Sequence, residues 1–383
     1  MARAVLTPGQ VLGIMGFNAD SLAMVNAAHE LGLKVYAYVD TPQPELTRQA
    51  DFTIVGNYRA KEKLKTFGEA CDVVIYTTPN IDAIVFHYLS QLTQVPQGID
   101  GLEIMQDRLM ERAFFDQLNV NSAPYVTVIS LEDIYQSIDS IGYPAVLKPI
   151  QRGMGAETML IRKESDIARA ANFMVAGTYL LESWIDHAHE YLLTVAAQGD
   201  QVVTYPVAGV EYTPDRQLLG VKAPLNVAQD LAGEMARIAQ AAVKQLGYQG
   251  ILTVEFYENA SGSLYVKGLA PGLLTAGNVY ETAASVSLAA QQVRLAAGLP
   301  AHVVTPAQST LMMVVRGDQL AAVQRQLPLK DYWSYRFFNL NQPQAEQIVG
   351  LTWLSGTDLS LRELTEKMEA TAIWDPTPMA EPE

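Results

Sequence analysis

This sequence has one cysteine and lacks the apolar segments typical of exported or membrane-bound chains. The single cysteine, Cys71, excludes an intrachain disulfide, and its place before an apolar stretch favours a small core residue over a nucleophile. No apolar run approaches the roughly 20 residues that a membrane-spanning helix needs. The amino terminus also lacks the basic start and apolar core of a signal peptide. We therefore expect a cytoplasmic protein with no membrane partner.

Basic residues are also few. The chain has 26 Lys and Arg against 41 Asp and Glu, which gives a net charge of -15 at pH 7. Such a charge repels phosphate backbones, so we expect no nucleic-acid partner. Hydrophobic residues make up 49% of the chain and charged residues 17%, a composition that favours a globular protein over a disordered one. At about 100–200 residues per domain, a chain of 383 residues should form two or three domains.

The first quarter of the chain alternates short apolar strands with helical segments. The predicted strands are residues 11–15, 34–39, 51–55 and 72–76. Between the first two, an amphipathic stretch ends at Gly32, which completes a βαβ unit. We therefore predict that residues 1–98 form an N-terminal α/β domain with a doubly wound parallel sheet. Such sheets bind ligands at the carboxyl ends of their strands.

Beyond that domain the pattern changes to a mixed α+β order with antiparallel strands. Residues 99–300 should form two lobes with a boundary near 180–190. A small β-rich C-terminal domain should follow at 301–374, with strands near 309–315 and 348–354. The last stretch, 375–383, has three prolines and three acidic residues and should be a disordered tail.

Several segments match a known family in order and spacing. They are Gln106-Asp-Arg-Leu-Met-Glu-Arg112, Tyr143-Pro-Ala-Val-Leu-Lys148, Leu180-Leu-Glu-Ser-Trp-Ile185, Val254-Glu-Phe256 and Leu269-Ala-Pro271. Together they resemble the ATP-grasp enzymes, and most closely carboxyaminoimidazole ribonucleotide synthetase, the ATPase subunit of phosphoribosylaminoimidazole carboxylase. The resemblance implies an α/β and α+β chain with the ATP-grasp fold, in which a central two-lobed region holds ATP between the lobes. It also implies a homodimer.

The family's reaction is a ligation in de novo purine biosynthesis. The resemblance implies that ATP cleavage is coupled to carboxylation of aminoimidazole ribonucleotide by bicarbonate, through carboxyphosphate and with magnesium. ATP and Mg would then be the cofactors, and a small-molecule nucleotide the partner. Phosphoryl transfer needs cations on the phosphates, acidic oxygen ligands for magnesium and backbone N–H groups over the transferred group.

Four side chains match the family's ATP-binding residues. Lys148 and Arg112 match two lysines on the phosphate side, Glu182 matches the hinge glutamate beside the adenine, and Glu190 matches the glutamate near the ribose hydroxyls. From the residues alone, simpler explanations stay open. Lys148 could be a solvated charge at a strand end, Arg112 a helix-surface arginine near Glu111, and the two glutamates solvated loop carboxylates.

The loop after Lys148 is a reduced version of the family's phosphate loop. The family has a glycine-rich, basic stretch here, whereas this chain has Pro149-Ile-Gln-Arg-Gly-Met-Gly-Ala-Glu157 with one cation, Arg152. Gly153 and Gly155 could still let backbone amides approach an anion. An ordinary hairpin loop explains the segment equally well.

The expected magnesium site is incomplete. Glu255 lies in an otherwise apolar strand and matches one magnesium-binding glutamate of the family. The second metal glutamate is replaced by Gly268 and the asparagine before it by Lys267. Glycine offers no side-chain oxygen, and an ammonium could neutralise Glu255 without a metal. We therefore predict a Glu255–Lys267 ion pair in place of full magnesium coordination.

The substrate side departs further from the family. The glycine-rich loop after the first strand is replaced by Gly16-Phe-Asn-Ala19, which puts a bulky Phe17 where backbone should reach a phosphate. The carboxylates expected at 77–80 and the histidines expected at 274–278 are absent, which leaves Asn80 and Asn278 as candidate substrate contacts. The cations expected near 347–351 are absent too.

Two further patterns have simple explanations. His187 and His189 could chelate a transition metal if they lay on a strand, but we expect a solvated loop. The aromatic segment 332–338 could stack on bases, but in so acidic a chain we expect core and interface packing.

Three functional hypotheses stay open. The chain is a carboxyaminoimidazole ribonucleotide synthetase with weak or lost activity, an ATP-grasp ligase for a different substrate, or a non-catalytic paralogue that binds a nucleotide or a partner. Loss of both the metal and the substrate residues favours the third most directly.

Overall fold

A computed structural model describes residues 5–152, 158–174 and 177–374. The strands β1 to β17 are, in chain order, Val11–Met15, Lys34–Val39, Phe52–Val55, Val73–Tyr76, Tyr125–Val128, Ala145–Pro149, Met159–Ile161, Tyr179–Ser183, His189–Gln198, Gln201–Thr204, Ala208–Tyr212, Leu218–Ala223, Gly250–Glu258, Leu264–Pro271, Ser309–Arg316, Trp333–Phe337 and Ile348–Gly356.

The helices α1 to α14 are Ser21–Glu30, Pro44–Thr47, Lys61–Ala70, Ala83–Leu89, Asp100–Gln106, Arg108–Gln117, Leu131–Ile141, Glu164–Ile167, Ala170–Phe173, Gln229–Leu246, Tyr280–Ala283, Leu288–Ala296, Leu320–Gln324 and Leu361–Glu369. A short 3₁₀ helix spans Thr275–Val279. Within the described ranges, none of these helices is both long and apolar enough to cross a membrane.

The amino-terminal strands form the predicted parallel sheet. Its order is β3-β2-β1-β4, and all three pairings are parallel. The central strand β1 is buried along almost its whole length, which explains why it is apolar rather than alternating. Cys71 is buried just before β4, and burial together with the charge of Asp72 raises the pKa of its thiol to about 12. Cys71 is therefore a core residue, as predicted.

A second, smaller sheet forms a separate lobe. Its order is β5-β8-β6-β7, and every neighbouring pair is antiparallel. Helix α7 covers it, and the buried side chains of Ile134 and Ile138 pack on Leu147 and Leu181. The pairing of β6 with β8 puts Val146 opposite Glu182, so the ends of these strands bring Lys148 close to that glutamate.

The third sheet is antiparallel and has nine strands in the order β14-β13-β9-β11-β12-β15-β17-β16, with β10 paired to β9. The predicted β-rich C-terminal segment is present. Its strands continue the central sheet, because β15 pairs with β12 along residues 310–313. Strand β16 was not predicted as a strand, since its aromatic residues were interpreted only as packing material.

The central strands of this sheet position the candidate site. Strand β9 pairs with β13 so that Glu190 lies opposite Tyr257, and β13 pairs with β14 so that Glu255 lies opposite Gly268. A register shift after Glu255 breaks the regular pairing at that point, and it leaves Lys267 beside the same carboxylate. Helix α6 packs against β14, and its Arg112 donates to the backbone oxygen of Lys267.

Candidate functional site

The carboxylate of Glu182 binds two cations. Glu182 lies on β8 and is only 3% exposed. It accepts a hydrogen bond of 2.6 Å from Nε of Arg112 on α6 and another from Nζ of Lys148 on β6. Arg112 also donates to the backbone oxygen of Lys267 at 3.1 Å. Arg112 is therefore not a helix-surface residue, and Glu182 is not a solvated loop carboxylate, so both of those simpler explanations were wrong.

Burial and charge act in opposite directions in this triad. Burial raises the pKa of Glu182, but the charges of Lys148 and Arg112 outweigh it and lower the pKa below its usual value. Burial lowers the pKa of Lys148, and the attraction to Glu182 offsets part of that effect. For Arg112 burial is outweighed by Glu182 and Glu111, which raise its pKa. The triad joins α6 to the smaller lobe through buried charges.

Glu190 is surrounded by donors from three separate segments. Its carboxylate accepts hydrogen bonds from His187 Nε2 at 2.9 Å, Arg216 Nη2 at 2.8 Å and Lys267 Nζ at 3.0 Å. Burial alone raises the pKa of Glu190, but the bond from His187 and the charges of Lys267 and Arg216 lower it to about 2. Glu190 is 8% exposed, so the simpler alternative of a solvated loop carboxylate does not apply here either.

Lys267 forms the predicted ion pair with Glu255. The distance from Nζ to Oε1 of Glu255 is 3.4 Å, and the same ammonium is 3.3 Å from the hydroxyl of Tyr212. It also lies over the rings of Tyr212 and Tyr257, at 5.1 and 5.6 Å from their centroids. Burial works against its charge, but Glu255 and the other groups around it raise the pKa of Lys267 well above its ordinary value. Lys267 is therefore a permanent cation.

The donor set does not fit magnesium. Gly268 lies opposite Glu255 and contributes no side-chain oxygen. The Glu111–Arg152 ion pair lies beside Gly268. A Cβ at 268 would be 3.4 Å from both Glu111 Oε1 and Arg152 Nη2. That Glu111 carboxylate accepts 2.8 and 2.6 Å hydrogen bonds from Leu269 N and from Arg152. Across the described part of the chain, no group of three His, Cys, Asp or Glu side chains could hold a metal ion.

His187 is a site residue that sequence reasoning missed. Its side chain is 5% exposed and stacks on Tyr257 with ring centroids 4.1 Å apart. The expectation of a solvated loop was therefore wrong for His187, whereas His189 is exposed at the start of β9. Arg216 lies over Trp184 at 5.7 Å and so continues this aromatic wall. The polar spacing of the segment carried no signal of this packing, because the ring on which His187 stacks, Tyr257, comes from the distant strand β13.

Guanidinium groups with spare donors lie beside the triad. Arg112 Nη1 and Arg152 Nε are buried and have no hydrogen-bond partner among the described residues. Arg108 is close by and donates to the backbone oxygen of Pro149 at 2.6 Å. Burial lowers the pKa of Arg108, and the nearby positive charge of Arg152 lowers it further. The other predicted loop residues, Gly153 and Gly155, lie outside the described residues.

The two candidate substrate residues are not brought together. Asn80 is exposed in the turn after β4. Asn278 is buried in the 3₁₀ helix, donates to Asp20 at 2.7 Å and accepts from Arg336 of β16 at 3.1 Å. Asp20 also accepts a 2.9 Å bond from the hydroxyl of Thr275. The amide of Asn278 is thus occupied by the protein's own groups.

The loop after β1 is closed by packing. Phe17 is 2% exposed and belongs to the same core cluster as the first helix. The hydroxyl of Thr77 donates to the backbone oxygen of Gly16 at 2.6 Å, which ties this loop to the one after β4. Burial raises the pKa of Asp20 beside it and outweighs the bonds from Thr275 and Asn278. This end of the sheet therefore holds a buried carboxyl group beside a closely packed loop.

These features define the class of protein. The sheet order, the two lobes and the glutamates between them are those expected of an ATP-grasp region, and the profile of the ATP-grasp domain matches residues 113–287. Residues 113–287 of this chain are therefore an ATP-grasp domain.

Two relatives show which ATP-grasp enzymes this chain resembles over most of its length. The N5-carboxyaminoimidazole ribonucleotide synthase of Bacillus subtilis (strain 168) is 27% identical over 326 residues, which are 85% of this chain and 86% of the relative. The synthase of Staphylococcus epidermidis (strain ATCC 12228 / FDA PCI 1200) is 25% identical over 359 residues, 93% and 95% of the two chains. The chain is therefore similar to these synthases over most of its length, which agrees with the resemblance found in the sequence.

A solved structure agrees over the full fold. The crystal structure of an ADP complex of N5-carboxyaminoimidazole ribonucleotide synthetase matches with a TM-score of 0.91 at 24% identity, covering 97% of this chain and 98% of that one. At this identity the match establishes the fold. It confirms the arrangement of a parallel-sheet domain, an ATP-grasp region and a β-rich C-terminal segment.

Proposed function

We propose that this relative of the synthases binds a nucleotide between its ATP-grasp lobes but does not carry out the ATP- and bicarbonate-dependent carboxylation of aminoimidazole ribonucleotide. One observation carries the proposal, namely the ammonium of Lys267 between Glu255 and Glu190. This ammonium neutralises Glu255, the carboxylate that matches a magnesium-binding glutamate of the family.

The metal side of the argument rests on ligand chemistry. Magnesium takes oxygen ligands, and its carboxylate partners have to be free of competing cations. Here Glu255 and Glu190 are ion-paired, and position 268 has no side chain. Removing one partner of a buried ion pair costs roughly 3–5 kcal/mol, so displacement of Lys267 by a metal would be opposed strongly.

The substrate side points the same way. Aminoimidazole ribonucleotide is a phosphate ester, and phosphate needs cations or free backbone N–H groups. The described surroundings of Asn278 instead contain the buried carboxyl of Asp20. The one nearby cation in the described contacts of Asn278, Arg336, is also 3.5 Å from Glu281. A phosphate ester placed here would face a carboxyl group.

Nucleotide binding has separate support. Around the triad, cations outnumber carboxylates, with Arg108, Arg112, Lys148 and Arg152 facing Glu111 and Glu182. This local excess of positive charge occurs in a chain with a net charge of -15. The spare donors on Arg112 and Arg152 suit phosphate oxygens. The solved relative that matches the whole fold is an ADP complex.

The other hypotheses need the features that this site lacks. Both a working synthetase and a ligase for a new substrate require a metal on the nucleotide phosphates. A homodimer, which the family resemblance implies, stays part of the proposal and is open to measurement by light scattering.

Turnover is the first test. With ATP, magnesium, bicarbonate and aminoimidazole ribonucleotide, we expect no ADP release above the rate without protein, while the Bacillus subtilis relative releases ADP under the same conditions. ADP release by this chain that depends on aminoimidazole ribonucleotide would refute the loss of carboxylation.

Nucleotide binding is tested by calorimetric titration of chelator-treated protein with ATP. Lys148→Met should weaken binding by about tenfold or more, because hydrogen bonds to charged groups contribute roughly 1.5–3 kcal/mol. The matched control is Lys34→Met, which changes an exposed lysine in the amino-terminal sheet. Equal affinities for the two variants would argue against a site at Lys148.

A further inference from the structure

We infer that the ammonium of Lys267 takes the place of a divalent ion, so that this protein binds a metal-free nucleoside polyphosphate in preference to its magnesium complex. The inference rests on the proposed nucleotide binding and adds the chemical form of the ligand. It starts from the disagreement between the family's metal requirement and the groups present here.

The geometry is that of a bridging cation. Lys267 Nζ is 3.0 Å from Glu190 on β9 and 3.4 Å from Glu255 on β13. These two strands are direct neighbours in the sheet, so one positive charge joins carboxylates of adjacent strands. A lysine ammonium has three N–H donors and no acceptor, and the hydroxyl of Tyr212 at 3.3 Å is the third oxygen it contacts.

The bridging charge is also held in place. The rings of Tyr212 and Tyr257 lie near the ammonium, and Arg216 binds the same Glu190 carboxylate at 2.8 Å. A metal ion that entered this space would meet the charges of Lys267 and Arg216 with no unpaired carboxylate among the described groups. Like charges at such distances repel strongly where solvent is excluded.

The remaining groups favour the more negative ligand. A free nucleotide is more negative than its magnesium complex by the charge of the ion. Spare guanidinium donors on Arg112 and Arg152, together with Arg108, present positive charge without a full set of acceptors among the described residues. Charge-assisted bonds from arginine to phosphate strengthen as the phosphate charge is left unneutralised. Magnesium should therefore weaken nucleotide binding to this protein, whereas a metal-dependent site needs it.

The experiment compares ATP binding by calorimetry in chelator and in excess magnesium. For the wild-type protein we expect about tenfold tighter binding in chelator, because two or more charge-assisted contacts change together. Lys267→Arg keeps a cation and should keep this preference. The double variant Lys267→Asn with Gly268→Glu places a carboxylate opposite Glu255, and its ATP binding should become magnesium-dependent.

A second readout measures the metal alone. Manganese, titrated without nucleotide and followed by electron paramagnetic resonance, should not bind the wild-type protein but should bind the double variant. A Cβ at 268 meets Arg152 and Glu111 at ordinary contact distance, so the backbone accepts a side chain at this position. If the double variant does not fold, the wild-type protein and Lys267→Arg decide the question.

The outcomes separate the two proposals. ATP binding by the wild-type protein that requires magnesium, or equal affinities in the two buffers, would overturn the inference and leave nucleotide binding intact. Absence of ATP binding in both buffers would overturn the proposed nucleotide binding and this inference with it. Tighter binding in chelator, reversed in the double variant, would support both.

Discussion

Single residues set the charge balance of this site. Glu190, for example, is paired with two cations of its own chain, Arg216 and Lys267, and accepts a further hydrogen bond from His187. A buried charge that is paired and hydrogen-bonded avoids the large cost of desolvation without a partner. The charges of the described site residues are therefore balanced without an added metal.

Asp20 gives a prediction with a defined pH dependence. Burial raises its pKa above the ordinary value of 3.8, so the ionised form destabilises the folded state at higher pH. As pH falls through the raised pKa, a proton binds and this penalty disappears. Asp20→Asn keeps an acceptor for Asn278 and a partner for Thr275, and should raise the melting temperature at pH 8 by about 2 °C. The gain should shrink as pH is lowered.

Scanning calorimetry across this pH range provides the measurement. Asp40→Asn, at an exposed aspartate of the same domain, is the matched control and should show no such trend. Asp20→Ala should lower the melting temperature, because Thr275 and Asn278 lose an acceptor. A lower melting temperature for Asp20→Asn at every pH would contradict the conclusion that the ionised Asp20 destabilises the folded state.

At the scale of elements, the site depends on how four strands and one helix meet. The pairing of β6 with β8 brings Lys148 to Glu182, and α6 adds Arg112 from outside the sheet. The register shift in β13 and β14 places Lys267 beside Glu255. Because each partner lies on a different element, the ion pairs also fix the elements relative to one another.

The Glu182 triad predicts a large effect on stability. Glu182→Ala leaves two cations on α6 and β6 without their buried counter-ion, which should cost about 3–5 kcal/mol of unfolding free energy. Glu234→Ala removes one partner of the exposed Glu234–Arg237 pair and should cost about 1 kcal/mol or less. Urea unfolding of both variants gives the comparison. Similar losses for the two would show that the triad is not a buried structural contact.

At the scale of the whole molecule, the large sheet crosses the expected boundary between the ATP-grasp region and the C-terminal segment. Strand β15 pairs with β12, and Trp353 of β17 donates from its ring nitrogen to the backbone oxygen of Asn278 at 2.7 Å. Core side chains of this segment, such as Met312 and Val314, belong to the same cluster as the first helix. The C-terminal segment therefore completes the core of the rest of the chain.

This continuity predicts that the segment cannot be removed. A chain ending at residue 308 lacks β15 to β17, exposes an edge of β12 and leaves core positions unfilled, so it should lose cooperative thermal unfolding and aggregate. The control is a chain ending at Trp374, which removes only the stretch predicted as a tail and should keep the full melting temperature. A sharp transition in the shorter chain would contradict the prediction.

The sequence by itself determined the fold class and the chemistry that is missing. The apolar strands predicted at 11–15 and 72–76 are buried on both faces of a parallel sheet. A short continuous apolar run in the sequence is therefore enough to predict them. The family resemblance implies a magnesium ligand at position 268. The sequence alone shows that Gly268 cannot supply one, since glycine has no side chain in any fold. The Glu255–Lys267 pair was also predictable, because both residues lie on strands joined by one hairpin.

Only the tertiary structure decided what replaced the lost groups. His187 packs on Tyr257 and binds Glu190, and Asp20 meets Asn278 at a distance of 258 residues along the chain. Contacts between residues so far apart in the chain depend on how whole helices and strands pack. The spacing of apolar residues within one segment carries no information about that packing. For the same reason the strand β16 at the sheet edge escaped prediction, because its partner β17 determines its conformation.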